Sequence, residues 1–344
     1  MRLTGTSDFC GPEYGERMTL STLISSALFS NRTPAFWTCV LALACVTCAD
    51  AAEPAPDAPF IASLLAIDAD HASLCDTRLD DSAVRARLRD LADRVRSDTV
   101  DLPSPADPAS MVQRLNAVVF GAGGVHSSPD LHDPCNLLVS GVLASGRGYC
   151  VGVASVYLSV AEELTLPVFP VATPSHVFLR YDDGTTRINI ETDGGASIPD
   201  ERYIETQRIS SDSIRREVFM RNMSREQFLA HVRNNLGVTE SERRQFERAR
   251  TEYTAALALD RRLPAAWYNL GKDLLSQNRH REAARAFSKA IDLHPNDTWA
   301  LNNRAMTWQA LHKPDKARRD LEEALRIDPG FDQARQNLAR LTTR

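Results

Sequence analysis

Residues 146–171 read GRGYCVGVASVYLSVAEELTLPVFPV. Gly146 and Gly148 precede Cys150, which opens a long run of apolar and small residues reaching Leu164. That length and composition predict a helix over 150–164. After Pro167 the pattern changes. Residues 168–171, 176–181 (HVFLRY) and 186–191 (TRINIE) are short, β-branched or alternating segments, which read as strands. Asp182-Asp183-Gly184, between the last two, is a hairpin turn signal. A helix followed by a small antiparallel sheet makes this part of the chain α+β.

Upstream, Val84, Leu88, Leu91 and Val95 fall at helical spacing, so 82–97 reads as an amphipathic helix. Pro103, Pro105 and Pro108 interrupt the chain. Further helices are expected over 109–120 and 134–145, separated by the turn GAGG (121–124). GAGG has neither the Lys nor the preceding strand of a phosphate-binding loop.

Downstream of about 224 nothing reads as a strand, and a period of 34 residues appears. Trp267, Leu270, Gly271, Ala283, Phe287, Ala290 and Pro295 recur as Leu301, Arg304, Ala305, Ala317, Leu321, Ala324 and Pro329. Ala249, Tyr253 and Ala256 continue the series backwards. Small residues at this period let paired helices cross closely, the pattern of tetratricopeptide repeats. The expectation is an incomplete unit at about 230–263, full units at 264–297 and 298–331, and a capping helix at 332–342. The first helices of the units offer Tyr268, Asn269, Lys272, Trp299, Asn302 and Asn303 to a concave groove. There they would meet a protein or peptide partner or the chain's own preceding domain.

The chemistry is concentrated between 150 and 191. A thiol at a helix N-terminus meets the positive end of the helix dipole. His176 lies 26 residues after Cys150, and Glu191 a further 15, on neighbouring predicted strands. A nucleophilic Cys needs a base, and the base needs an orienting group. Cys150, His176 and Glu191 supply that order.

On GRGYCVGVASVYLSVAEELTLPVFPV, DPCNLL (133–138), PSHVFLRY (174–181) and INIETDGG (188–195), residues of about 110–205 resemble the transglutaminase-like superfamily, a branch of the papain-like cysteine-hydrolase fold. They are most similar to its bacterial members with C-terminal tetratricopeptide repeats. The resemblance implies Cys150 as nucleophile, His176 as base and Glu191 as the orienting carboxylate. The acid usual in that superfamily is Asp, so Asp193 is the reserve. Asn136 is a candidate for supporting the site or donating to an oxyanion. No metal or organic cofactor is implied. The spacing of His126, His132 and Cys135 fits no standard zinc pattern.

The remaining features set the context. Residues 35–48, AFWTCVLALACVTC, follow Arg32 and precede Ala49-Asp50-Ala51, which reads as a secretory signal peptide cleaved after Ala51. Met18 then reads as the initiator, and the mature protein is expected to be periplasmic or secreted, with no span after cleavage. The mature chain keeps Cys75, Cys135 and Cys150, and either a Cys75–Cys135 disulfide or two buried thiols fits. With 43% hydrophobic and 25% charged residues the chain is globular. A net charge of −5 argues against nucleic-acid binding driven by electrostatics. The domain reading is a signal segment (1–51), an N-terminal helical segment (52–108), a transglutaminase-like domain (109–222) and repeats (223–344). Two functions fit this layout. One is an exported cysteine hydrolase or acyltransferase acting on a protein or peptide amide. The other is a non-enzymatic scaffold that uses the repeats.

Overall fold

The computed structural model describes residues 59–98, 107–128 and 133–342. The expected signal peptide lies outside these residues. Among them no helix is long and apolar enough to cross a membrane.

The helix opened by Cys150 is the centre of the first half. Every residue from Cys150 to Ala161 is buried, as expected of a helix apolar on all sides. Numbered in chain order, it is preceded by α1 (Pro59–Asp70), α2 (Asp81–Asp98), α3 (Pro108–Val119) and α4 (Val139–Ser145), and is itself α5 (Cys150–Glu163). A two-residue parallel ladder, β1 (His126–Ser127) with β2 (Arg147–Gly148), leads into it. The expected helix over 134–145 is broken, because Pro134–Asn136 form a 3-10 turn and Leu138 takes an extended conformation before α4. Gly146, at φ 70°, ends α4 in the left-handed conformation and turns the chain toward Cys150.

Three antiparallel strands follow in the order β3 (Val168–Ala172), β4 (Val177–Asp182) and β5 (Arg187–Ile190). One face of the sheet (Val177, Leu179, Tyr181, Ile190) joins the core around α5. The other face carries Val171 and Phe178. It is covered by α6 (Asp200–Thr206), α7 (Ser211–Arg215) and Val218–Met220, a second apolar cluster.

The core around α5 also takes in Phe60, Leu64, Val84, Leu88 and Leu91 from α1 and α2. The boundary drawn at residue 109 therefore cuts a continuous core, and packing begins at Phe60. Cys75 and Cys135 form a disulfide that ties the chain after α1 to the 3-10 turn.

The second half is seven helices: α8 (Arg225–Glu242), α9 (Phe246–Leu259), α10 (Pro264–Ser276), α11 (His280–Leu293), α12 (Thr298–Ala310), α13 (Pro314–Ile327) and α14 (Asp332–Thr342). The first unit is not incomplete. It is a full helical hairpin whose first helix begins early, at a capping box formed by Ser224 and Gln227. This helix, α8, serves two cores. Phe228, Leu229, Val232 and Leu236 join the core of α5, while Ala230 packs with Ala256 and Leu257 of the repeats. The ring of Phe60 lies 5.9 Å from that of Phe228.

Candidate active site

The start of α5 is held by its neighbours rather than by a cap of its own. Tyr149 occupies the N-cap position without a side-chain capping bond. Its backbone N–H donates instead to the carbonyl of Asn136 at 2.8 Å. That approach requires Gly152, where a Cβ would stand 2.2 Å from the same carbonyl oxygen. The disulfide at Cys135 thus anchors the turn that fixes Cys150.

His176 lies one residue before β4 and Glu191 one residue after β5. Leu179 pairs with Ile190, so the next pair outward is Phe178 with Glu191. Alternation places His176 on the same face as Phe178, diagonal to Glu191. Such diagonal neighbours lie about 7–8 Å apart, within reach of a long side chain. Glu191 spans the gap, and its Oε2 lies 2.8 Å from His176 Nε2. Asp193, the reserve acid, is exposed in the turn that follows.

Cys150 is buried and lines the same cleft as His176, whose imidazole feels the neighbouring thiol. Burial pulls the His176 imidazole down, but the hydrogen bonds to Cys150 and Glu191, and their charges, outweigh it and push the group up to about 10. Burial raises Glu191, and its hydrogen bonds from His176 and Tyr203 more than reverse this, so the carboxyl sits below its usual range.

Further residues around the site escaped the sequence. Tyr203, on α6, is buried, donates its phenol hydrogen to Glu191 Oε1, and stacks on Phe178 with ring centroids 4.3 Å apart. The start of α6 is held by Arg180, a fully buried guanidinium that donates to Asp200 Oδ1 at 2.5 Å and to Asn189 Oδ1 at 2.7 Å. Tyr149 also lines the cleft, and burial, together with the neighbouring Cys150, raises its phenol to about 12.

Asn136 is buried beneath the site, and its Nδ2 donates to Ser128 Oγ at 3.3 Å.

Cys150 and His176 open onto a cleft of about 680 Å³ whose opposite wall is built by the repeats, including Tyr268, Asn269 and Trp299. Of the other expected groove residues, Lys272 is exposed and stands outside the cleft wall. Asn302 is buried and accepts from Asn337 Nδ2 at 2.8 Å. Asn303 donates to the Tyr268 hydroxyl at 3.1 Å. With Asn269 donating to Asn234 at 3.0 Å, these bonds join successive units 35 residues apart. Asn235, Asn269, Asn303 and Asn337 recur every 34 residues, so this column was visible in the sequence.

Comparison with known proteins bears on the two halves of the chain. Residues 82–234 match the transglutaminase-like superfamily, and residues 264–297 and 299–331 each match the tetratricopeptide repeat. The chain is a transglutaminase-like domain followed by tetratricopeptide repeats. The transglutaminase-like match ends inside α8, as does the core around α5, although that core begins earlier, at Phe60. UPF0162 protein PM0557 of Pasteurella multocida (strain Pm70) is 29% identical over 100 residues, which are 28% of this chain and 38% of that protein. The match therefore spans well under half of that relative's length. Similar solved structures include tetratricopeptide-repeat domains. The first repeat domain of Spaghetti (RPAP3), bound to an HSP90 peptide, is 22% identical over 33% of this chain and 90% of that one, with a TM-score of 0.33. The Arabidopsis OM64 repeat domain is 21% identical over 34% of this chain and 96% of that one, also at 0.33.

Proposed function

We propose that this transglutaminase-like protein is an exported cysteine hydrolase or acyltransferase acting on an amide of a protein or peptide. The observation that carries the reading is the 2.8 Å contact between Glu191 Oε2 and His176 Nε2, with that imidazole and Cys150 lining one cleft.

The steps follow from the atoms present. The Cys150 sulfur, its proton held by His176, attacks the amide carbonyl carbon. The resulting oxyanion meets the uncapped first turn of α5, whose backbone N–H groups point out of the helix. The imidazolium returns the proton to the leaving nitrogen, the C–N bond breaks, and a thioester remains. Water, or a second amine, then attacks the thioester with His176 as base. Glu191 keeps the imidazole oriented and balances its charge throughout. Hydrolysis is the favoured outcome.

Export rests on the signal-like stretch at 35–51, outside the described residues. The Cys75–Cys135 disulfide supports it, because such bonds persist in oxidising compartments.

The test is alkylation of Cys150 by iodoacetamide in the folded mature protein, followed by peptide mass spectrometry across pH. Rapid reaction near pH 6, well below the ordinary thiol value of about 8.5, and its loss in His176→Ala support the enzyme. An inert Cys150, or one indifferent to His176→Ala, favours the scaffold.

A further inference from the structure

The cleft has two walls of different origin. Cys150, His176 and Tyr149 come from the transglutaminase-like domain, and Tyr268, Asn269 and Trp299 from the repeats. Its volume of about 680 Å³ falls within the roughly 300–1,000 Å³ of ligand clefts. The repeats thus line the same cavity as the thiol.

The repeat wall mixes apolar and polar side chains. Asn234 is bonded to Asn235 and Asn269, which leaves the Asn235 amide nitrogen, the Asn269 amide oxygen and the Tyr268 phenol as its polar groups. Carboxamides both donate and accept, matching the alternating N–H and C=O groups of an extended peptide backbone. Of the lining histidines, His231 is held down to about 4 by burial and by Arg221, and His294 to about 4 by burial, so both are uncharged at neutral pH. The charged groups of the lining are already matched. Arg208 meets Asp328 at 3.2 Å, and His176 meets Glu191. Asp297 caps α12 by accepting from Ala300 N at 2.9 Å, and burial raises its carboxyl. A charged side chain placed here would lose its water without gaining a free counter-charge, which is costly.

Trp299 stands apart. It is 56% exposed, the most exposed large hydrophobic among the described residues, and its ring is fixed edge-on to Phe331 at 4.7 Å. A rigid, half-open indole on the wall of a reactive cleft is an anchor for an apolar side chain.

We propose that the repeats form the substrate-selecting wall of the Cys150 site. They take an extended peptide that is uncharged beside the attacked amide and carries an apolar side chain seated on Trp299. This rests on the reading of Cys150 as nucleophile, but it is tested separately.

The binding arm uses full-length mature protein carrying Cys150→Ala, with fluorescein-labelled Ala-Ala-Leu-Ala-Ala amide and its Glu and Lys analogues read by fluorescence anisotropy. The Leu peptide is expected to bind at least about tenfold tighter than either charged analogue. Trp299→Ala is expected to bring all three within about threefold, and Trp299→Phe to restore most of the preference. Equal binding of the three peptides, or a preference that survives Trp299→Ala, overturns the inference. The alkylation arm uses iodoacetamide, too small to need the repeat wall, on protein that retains Cys150. Its rate should be unchanged by Trp299→Ala, and a parallel loss of reactivity would assign Trp299 a structural role and also overturn the inference. Failure of the nucleophile reading appears in the alkylation arm of the otherwise unaltered protein, so the two failures are distinguishable.

Discussion

Tyr203 hands its phenol hydrogen to Glu191, and its ring lies parallel to that of Phe178 at 4.3 Å. The stacking fixes the hydroxyl, and the hydroxyl holds the carboxylate in line with His176. Tyr203→Phe keeps the ring and deletes the donor. A buried acceptor that loses its partner costs about 1–3 kcal/mol. Urea denaturation should therefore show a lower midpoint at an unchanged m-value, and an unmoved midpoint would mean the bond contributes nothing.

Glu191→Asp tests the diagonal geometry. The shorter side chain cannot span from the end of β5 to His176, although Asp is the commoner acid in this superfamily. His176 should lose its partner, and its titration should fall from about 10, as read by NMR of the imidazole. Alkylation of Cys150 at pH 7 should slow by about tenfold or more, given the sensitivity of such sites to ångström misplacement. Full retention of both would mean that the backbone adjusts.

Stability should depend on pH with opposite signs at two histidines. His176 is raised from 6.5 to about 10 on folding. Its contribution is therefore complete below about 6.5 and is lost as pH rises to about 10. The stability difference between the unaltered protein and His176→Gln should shrink over that window. His294 is lowered from 6.5 to about 4 by burial. The unfolded chain takes up its proton first, so stability is lost as pH falls from about 6.5 through 4. His294→Phe should flatten this acid limb. A limb of the same slope in the variant would assign it to other groups.

The Cys75–Cys135 cross-link spans 60 residues. Restricting the unfolded chain over such a loop stabilises by about 2–4 kcal/mol. The double variant Cys75→Ser, Cys135→Ser should lose that amount in urea denaturation. Because the Asn136 carbonyl holds the Tyr149 amide, it should also slow Cys150 alkylation. Loss of stability with unaltered alkylation would separate the disulfide from the site.

The sequence revealed the order of the site but not its scaffolding. Cys150, His176 and Glu191 were legible because each sits beside a local signal, namely a glycine pair before an apolar helix and two alternating strands joined at Asp182-Asp183-Gly184. Tyr203, Arg180, Asn189 and Asp200 were not, because their meaning comes from a sheet face and a short helix that no local pattern announces. The repeats were legible through their period, yet the start of the first unit was misjudged. The residues 228–236 answer to two neighbours at once, which blurs their periodicity. Lys272 and Asn302 were assigned to the groove by position on their helices. Lys272 stands clear of the cleft wall, and Asn302 is spent on Asn337.

The helix from Arg225 to Glu242 leaves no tether between the two modules. Val232 lies in one core, while Asn234, two positions on, bonds to Asn269 of the next unit. A rod that is part of both bodies transmits load without slack, so the span from Trp299 to Cys150 is set when the chain folds rather than by a swinging arm. Melting one body strips apolar cover from the other, so the molecule should unfold in a single calorimetric peak. Transplanting the repeats onto another protein would mean carrying part of this domain's interior with them.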